Sequence, residues 1–248
     1  MAGLHLEELF PSVAERIKPL LDEILEGYSD NVHSVHIVGS AVTEDFDEKT
    51  SDVNSIFVLK QMDLKFIELI APLGKKYGKK KIAAPLIMTP DYILRSLDVF
   101  PIEFHDFRLI HKTVLGEDIL NTVEINLSDL RNQCEREIKS KLIGLRQGYI
   151  SSQGDKKLIM ESFVRSISGY MPLFRGIILL MGKIPPVRKH EVIASLSGCT
   201  GIDTGIFNHI LEIKRGHIKP GKEELDTVFE NYYEATEKIG KLIDEHQV

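Results

Sequence analysis

Two stretches decide how this chain folds: Val35-His36-Ile37-Val38-Gly39-Ser40, and Ser51-Asp52-Val53-Asn54-Ser55-Ile56-Phe57-Val58-Leu59. The short β-branched run His33–Val38 reads as a strand that ends on Gly-Ser. Eleven residues separate Ser40 from Asp52, and a second strand, Val53–Leu59, opens on Ser-Asp. Gly39 lets the backbone turn sharply and leaves room for a ligand to approach it. Ser40 adds a hydroxyl beside backbone N–H groups where a helix would start, an arrangement that suits phosphate oxygens. Asp52 and Asn54 are two residues apart on an extended strand, so both project from one face of a sheet.

Outward from these strands, helix and strand patterns interleave. Leu6, Leu9, Phe10, Val13, Ile17, Leu20, Leu21 and Ile24 recur at helical spacing within Leu4–Tyr28, and Gly27 with Ser29-Asp30-Asn31 ends the run. A helix over Met62–Tyr77, a strand over Ala83–Met88, a short helix over Pro90–Leu97 and a fourth strand over Phe100–Leu109 follow. This interleaving predicts an α+β domain with a mixed sheet. From Ser128, a candidate N-cap, the pattern turns helical almost throughout: Asp129–Tyr149, Lys156–Met181, His190–Ser197, Thr204–Arg215 and Glu223–Glu245. The second half therefore reads as an antiparallel helical bundle. The boundary falls within Asn121–Leu127, giving residues 1–124 as the α/β domain and 125–248 as the bundle.

Composition narrows the classes. The 248 residues carry 31 Lys plus Arg against 37 Asp plus Glu, a net charge of −6, which argues against a dedicated nucleic-acid binder. A 43% hydrophobic and 27% charged composition is that of a globular protein. The longest apolar runs fall far short of the roughly 20 residues a membrane span needs. Cys134 and Cys199 are the only cysteines, too few for a disulfide framework or a metal cluster. These features set the expectation of a reduced, cytoplasmic protein. The Lys75, Lys76, Lys79, Lys80 and Lys81 cluster ends a helix, where cations complement the dipole and stay hydrated. Gly74-Lys75-Lys76-Tyr77-Gly78-Lys79 follows a helical stretch rather than a strand, and so lacks the context of a phosphate-binding loop.

The Gly39-Ser40 and Asp52 constellation resembles the nucleotidyltransferase superfamily with the polymerase-beta-like fold. Its signature is a hydrophobic residue, Gly-Ser, a loop, then Asp-hydrophobic-Asp or Glu on the next strand. Leu173–Leu180 and Pro186–Ile193 are similar, more loosely, to the helical domains of kanamycin nucleotidyltransferase and of HEPN-type proteins. The resemblance implies binding of a nucleoside triphosphate (NTP) with magnesium, and transfer of a nucleotidyl group to a small-molecule or protein acceptor. It implies that Gly39 and Ser40 meet the triphosphate and that Asp52 and the residue at Asn54 hold metal. A third carboxylate comes from a later strand; by order along the chain this is Glu103, as metal ligand or general base. His105 would share its face and Asp106 would not. The helical half would bind substrate or form a homodimer.

Asn54 departs from the signature. Asn offers a neutral carbonyl oxygen where two-metal chemistry uses a carboxylate, so one negative charge is missing. Three readings stay open: an altered enzyme, a nucleotide-binding pseudoenzyme acting as a regulatory module, or a scaffold that has lost the site. No Arg is followed by His at the spacing of HEPN ribonucleases, which sets RNA cleavage aside.

Overall fold

The computed structural model describes residues 3–219, 221 and 224–248. It divides into two compact units, residues 1–98 with 104–124 and residues 99–103 with 125–248. The first comprises α1 (Pro11–Tyr28), β1 (Val32–Val38), β2 (Asn54–Leu59), α2 (Leu64–Gly78), β3 (Leu86–Met88), α3 (Pro90–Arg95), most of α4 (Pro101–Leu109) and β4 (His111–Gly116). The second comprises α5 (Leu127–Ser151), α6 (Lys156–Ser166), α7 (Tyr170–Leu180), α8 (Lys189–Thr200), α9 (Gly205–Lys214) and α10 (Glu224–Glu245).

The sheet runs β3-β2-β1-β4, with β2 and β3 parallel and the other pairs antiparallel. Alternation along each strand sorts its residues. Val35 and Ile37 of β1 and Phe57 and Leu59 of β2 pack with Val13, Ile17, Leu21 and Ile24 of α1 and with Phe66 and Ile70 of α2. A bulge against Val35 and His36 lets β4 bury both Val114 and Leu115 in this core. The same bulge restores the phase, so that Thr113 lies opposite His36 and His111 opposite Val38 on the other face. The described part of the segment before Pro11 is not helical. Pro11 occupies the first turn, where its missing N–H costs nothing, and the preceding chain is tied to β4 by His5 N donating to Val114 O at 2.8 Å.

One expected strand is a helix. Phe100–Leu109 alternates apolar residues well enough to suggest a strand, but Pro101 stands at the first position of α4, where its fixed φ suits a helix. Buried Pro101, Ile102, Phe104 and His105 follow helical rather than strand spacing. The fourth strand is the next segment, His111–Gly116.

In the helical unit, Asn126 rather than Ser128 caps α5; its Oδ1 accepts from Ser128 N at 2.8 Å. The expected single helix Lys156–Met181 is α6 and α7 joined by a 3-10 turn, Ile167–Gly169. Glu223, the expected start of the last helix, lies outside the described residues. Contrary to the expectation that apolar runs fall short of a membrane span, the run Lys156–Leu180 is long and apolar enough to cross a membrane by length and composition; most of it is buried inside the protein. Phe163 and Tyr232 stack at 4.6 Å, and Phe174 and Phe207 meet edge to face at 4.8 Å, forming the aromatic centre of this unit. Arg175 is buried there, donating from Nε to Pro186 O at 3.0 Å and so holding the loop after α7.

Cys134 sits fully buried in the same core, and burial, helped by the Glu137 and Glu103 charges, pushes its thiol pKa up. Only a thiolate attacks a disulfide reagent. An aromatic disulfide reagent should therefore modify the partly exposed Cys199 in the folded protein and reach Cys134 only on unfolding. Labelling of Cys134 at the rate of a free thiol would contradict this packing.

Candidate functional site

β1 ends at Val38, which pairs with Asn54 at the start of β2. Gly39 then takes a left-handed φ of +72°, and a Cβ there would lie 3.9 Å from Asn54 Nδ2. The register thus sets the open backbone of the Gly-Ser turn beside Asn54. Gly39 N donates to Ile110 O at 3.2 Å, and Thr43 N and Oγ1 both donate to Ser40 O, at 3.1 and 3.3 Å. The turn is held at both ends. It is a single 3-10 turn, Gly39–Val42, and not the helix start expected from the sequence.

Asp52 is exposed in the extended lead-in to β2, where Val53 N donates to Lys81 O at 2.8 Å and Val53 O accepts from Ala83 N at 3.0 Å. Asp52 and the exposed Asn54 share one side. The acidic connector between Ser40 and Asp52 is internally braced. Asp47 Oδ1 accepts from Lys49 N and Thr50 N, both at 2.8 Å, and these bonds hold its carboxyl below the ordinary Asp range. Arg16 donates to Glu48 O at 3.2 Å with its guanidinium over the Phe46 ring. A groove of about 760 Å³ beside this loop is lined by Phe10, Glu15, Thr43, Glu44, Phe46 and Glu48. Its three carboxylates make it a poor triphosphate site, and neither Ser40 nor Asp52 lines it.

The sheet face that carries Asn54 also presents Ser34, His36 and Val38 of β1, Leu86 and Met88 of β3 opposite Ile56 and Val58, and His111 and Thr113 of β4. Neither later strand contributes a carboxylate. The strand assigned to Glu103 is α4, so the reasoning from strand order that selected it does not hold. Glu103 is in the first turn of that helix, grouped with the helical unit, and its Oε2 accepts from Gln133 Nε2 at 2.7 Å. Gln133 Oε1 in turn accepts from Ile102 N at 2.8 Å. On a helix, Asp106 rather than His105 shares the side of Glu103.

Within the sheet unit the donors fit one magnesium ion held by Asp52 and by phosphate oxygens of a nucleotide, because magnesium commonly keeps few protein carboxylates. They do not supply the carboxylates of a two-ion site. The lysine cluster is largely engaged with its own fold: Lys76 pairs with Glu23 at 2.6 Å, Lys80 lies over the Tyr77 ring, and Lys81 donates to Lys49 O.

Sequence reasoning missed a group on this face. His36 is fully buried; its Nε2 is 2.9 Å from Ser34 Oγ and its Nδ1 2.9 Å from Thr113 Oγ1. Burial, with the nearby His111 charge, pushes its pKa down to about 4, so the ring is neutral near pH 7. His111 Nε2 is 2.8 Å from Asp118 Oδ1. The signal was the alternation that points His36 away from the α1 and α2 core; its partner could not be found while β4 was unassigned.

The sheet order, the Gly-Ser turn closed onto β2, and the trailing helical region define a nucleotidyltransferase-like fold. The solved structure of spectinomycin adenyltransferase AAD(9) from Enterococcus faecialis, with ATP and spectinomycin, shares it: the TM-score is 0.54 at 16% sequence identity, over 90% of this chain and 98% of that one. No family model and no curated protein matches the sequence.

Proposed function

We propose that this chain binds a nucleoside triphosphate and transfers its nucleotidyl group to a hydroxyl of a small-molecule acceptor. The observation that carries the reading is the Gly39 turn standing against Asn54, with Asp52 on the same side, in a fold shared with an adenyltransferase solved with ATP and its acceptor. A cytoplasmic setting, where such triphosphates are abundant, follows from it. Gly39 and Ser40 bind phosphate oxygens, and Asp52 holds a magnesium ion. When bound, that ion supplies positive charge that offsets the charge on the triphosphate. In the transfer, the acceptor oxygen attacks the α-phosphorus, the bond to the β-phosphate breaks, and pyrophosphate leaves. The acceptor proton passes to a general base or to solvent water.

A second reading, a nucleotide-binding regulatory module without turnover, is favoured by Asn54 and by the absence of carboxylates from β3 and β4. Calorimetry with ATP and then GTP, each with and without Mg²⁺, tests both. Magnesium-dependent binding with pyrophosphate release on acceptor addition supports the enzyme; binding without release supports the module. Absence of binding at millimolar nucleotide overturns both. Asn54→Asp should strengthen magnesium-dependent binding about tenfold, because it restores one carboxylate to an exposed position. Unchanged metal affinity in that variant would mean that Asn54 lies outside the metal site.

A further inference from the structure

We infer that His36, His111 and Asp118 form a binding site for a divalent transition-metal ion of the zinc class, separate from any magnesium carried with a nucleotide. The three residues come from β1, the start of β4 and the turn after β4, and one ligand atom from each lies within 4.8 Å of the others. Tetrahedral zinc with N and O ligands has ligand atoms about 3.3 Å apart, so closure needs side-chain shifts of about 1 Å. Two imidazoles and one carboxylate match zinc-class ions, whereas magnesium takes oxygen ligands. Three protein ligands leave a fourth position open to water or a substrate atom.

The surroundings are those of a ligating set. His111 Nδ1 faces Arg108 O at 3.1 Å; donating its proton there leaves the Nε2 lone pair aimed at Asp118, a repulsive pairing unless a cation or a second proton answers it. Thr113 Oγ1 bonds His36 Nδ1 at 2.9 Å and so orients that ring. The His111 side chain is 9% exposed and that of Asp118 45%, so the group faces solvent on its Asp118 side, with His36 fully buried behind it.

The test is titration of the chelator-treated full-length protein with ZnCl₂ by calorimetry in the presence of millimolar Mg²⁺. Co²⁺ absorption provides a second readout of ligand geometry. Wild type should bind about one ion per chain, at micromolar Kd or tighter, with the visible bands of low-coordinate Co²⁺. His111→Ala and Asp118→Asn should each weaken zinc binding by about 100-fold and abolish those bands. His190→Gln should change neither, since His190 lies on α8, outside the sheet that carries the three ligands. Thermal melts in EDTA establish that the variants fold. Absence of binding by wild type, or binding that survives both ligand variants, overturns the site and leaves His111–Asp118 as a structural ion pair.

Discussion

Asp52→Ala should abolish magnesium-dependent nucleotide binding, lowering the affinity for Mg-ATP by at least about 100-fold, or about 2.7 kcal/mol. The effect is large because Asp52 is the only carboxylate that segment 51–59 contributes; the neighbouring strand positions hold Asn54, Leu86 and Met88. The substitution should leave the fold intact, since the side chain is exposed. Calorimetry and a thermal melt on the same sample separate the two effects. If Asp52→Ala binds Mg-ATP as wild type does, the Gly-Ser turn is not a nucleotide site.

The second large effect concerns folding. Gly116→Ala should destabilise the sheet unit by about 3 kcal/mol or more and lower its Tm by about 10 °C. Gly116 ends β4 opposite Ser34 with a φ of +74°, and a Cβ there would stand 2.0 Å from His33 O and 3.0 Å from Ser34 Cα. Both obstacles are backbone of the central strand, which cannot step aside as a side chain can. The left-handed φ alone costs an L-residue about 1–2 kcal/mol. Gly182→Ala isolates that part, because Gly182 has a φ of +71° with nothing within 4 Å of its Cβ position. Equal melting shifts in the two variants would remove the steric claim. Since Gly116 also precedes Glu117 and Asp118, its variant should weaken zinc binding as well.

Some elements were legible along the chain. The α1 stripe, the hairpin partners β1 and β2 and the helical second half declare themselves because burial of one face imposes a period that neighbouring residues carry. The Gly39-Ser40 and Asp52 motif was legible for a related reason: all its parts lie on one strand pair whose ends are close in sequence. The failures share a cause. Phe100–Leu109 alternates like a strand, and Pro101 at its head supports a helix only once the residues it packs with are known. With β4 misplaced, Glu103 inherited a strand position that it does not occupy, and His111 was never paired with His36.

The sequence alone determined the α+β class from the spacing of its apolar residues, and the nucleotidyltransferase-like fold through the resemblance carried by Gly39, Ser40 and Asp52, from which Asn54 departs. The tertiary structure alone decided which strand flanks β1 on its outer side, that no later strand brings a carboxylate to the Asn54 face, and that His36, His111 and Asp118 meet. Strand order and register are set by long-range pairing and by a bulge against Val35 and His36, and neither leaves a local mark.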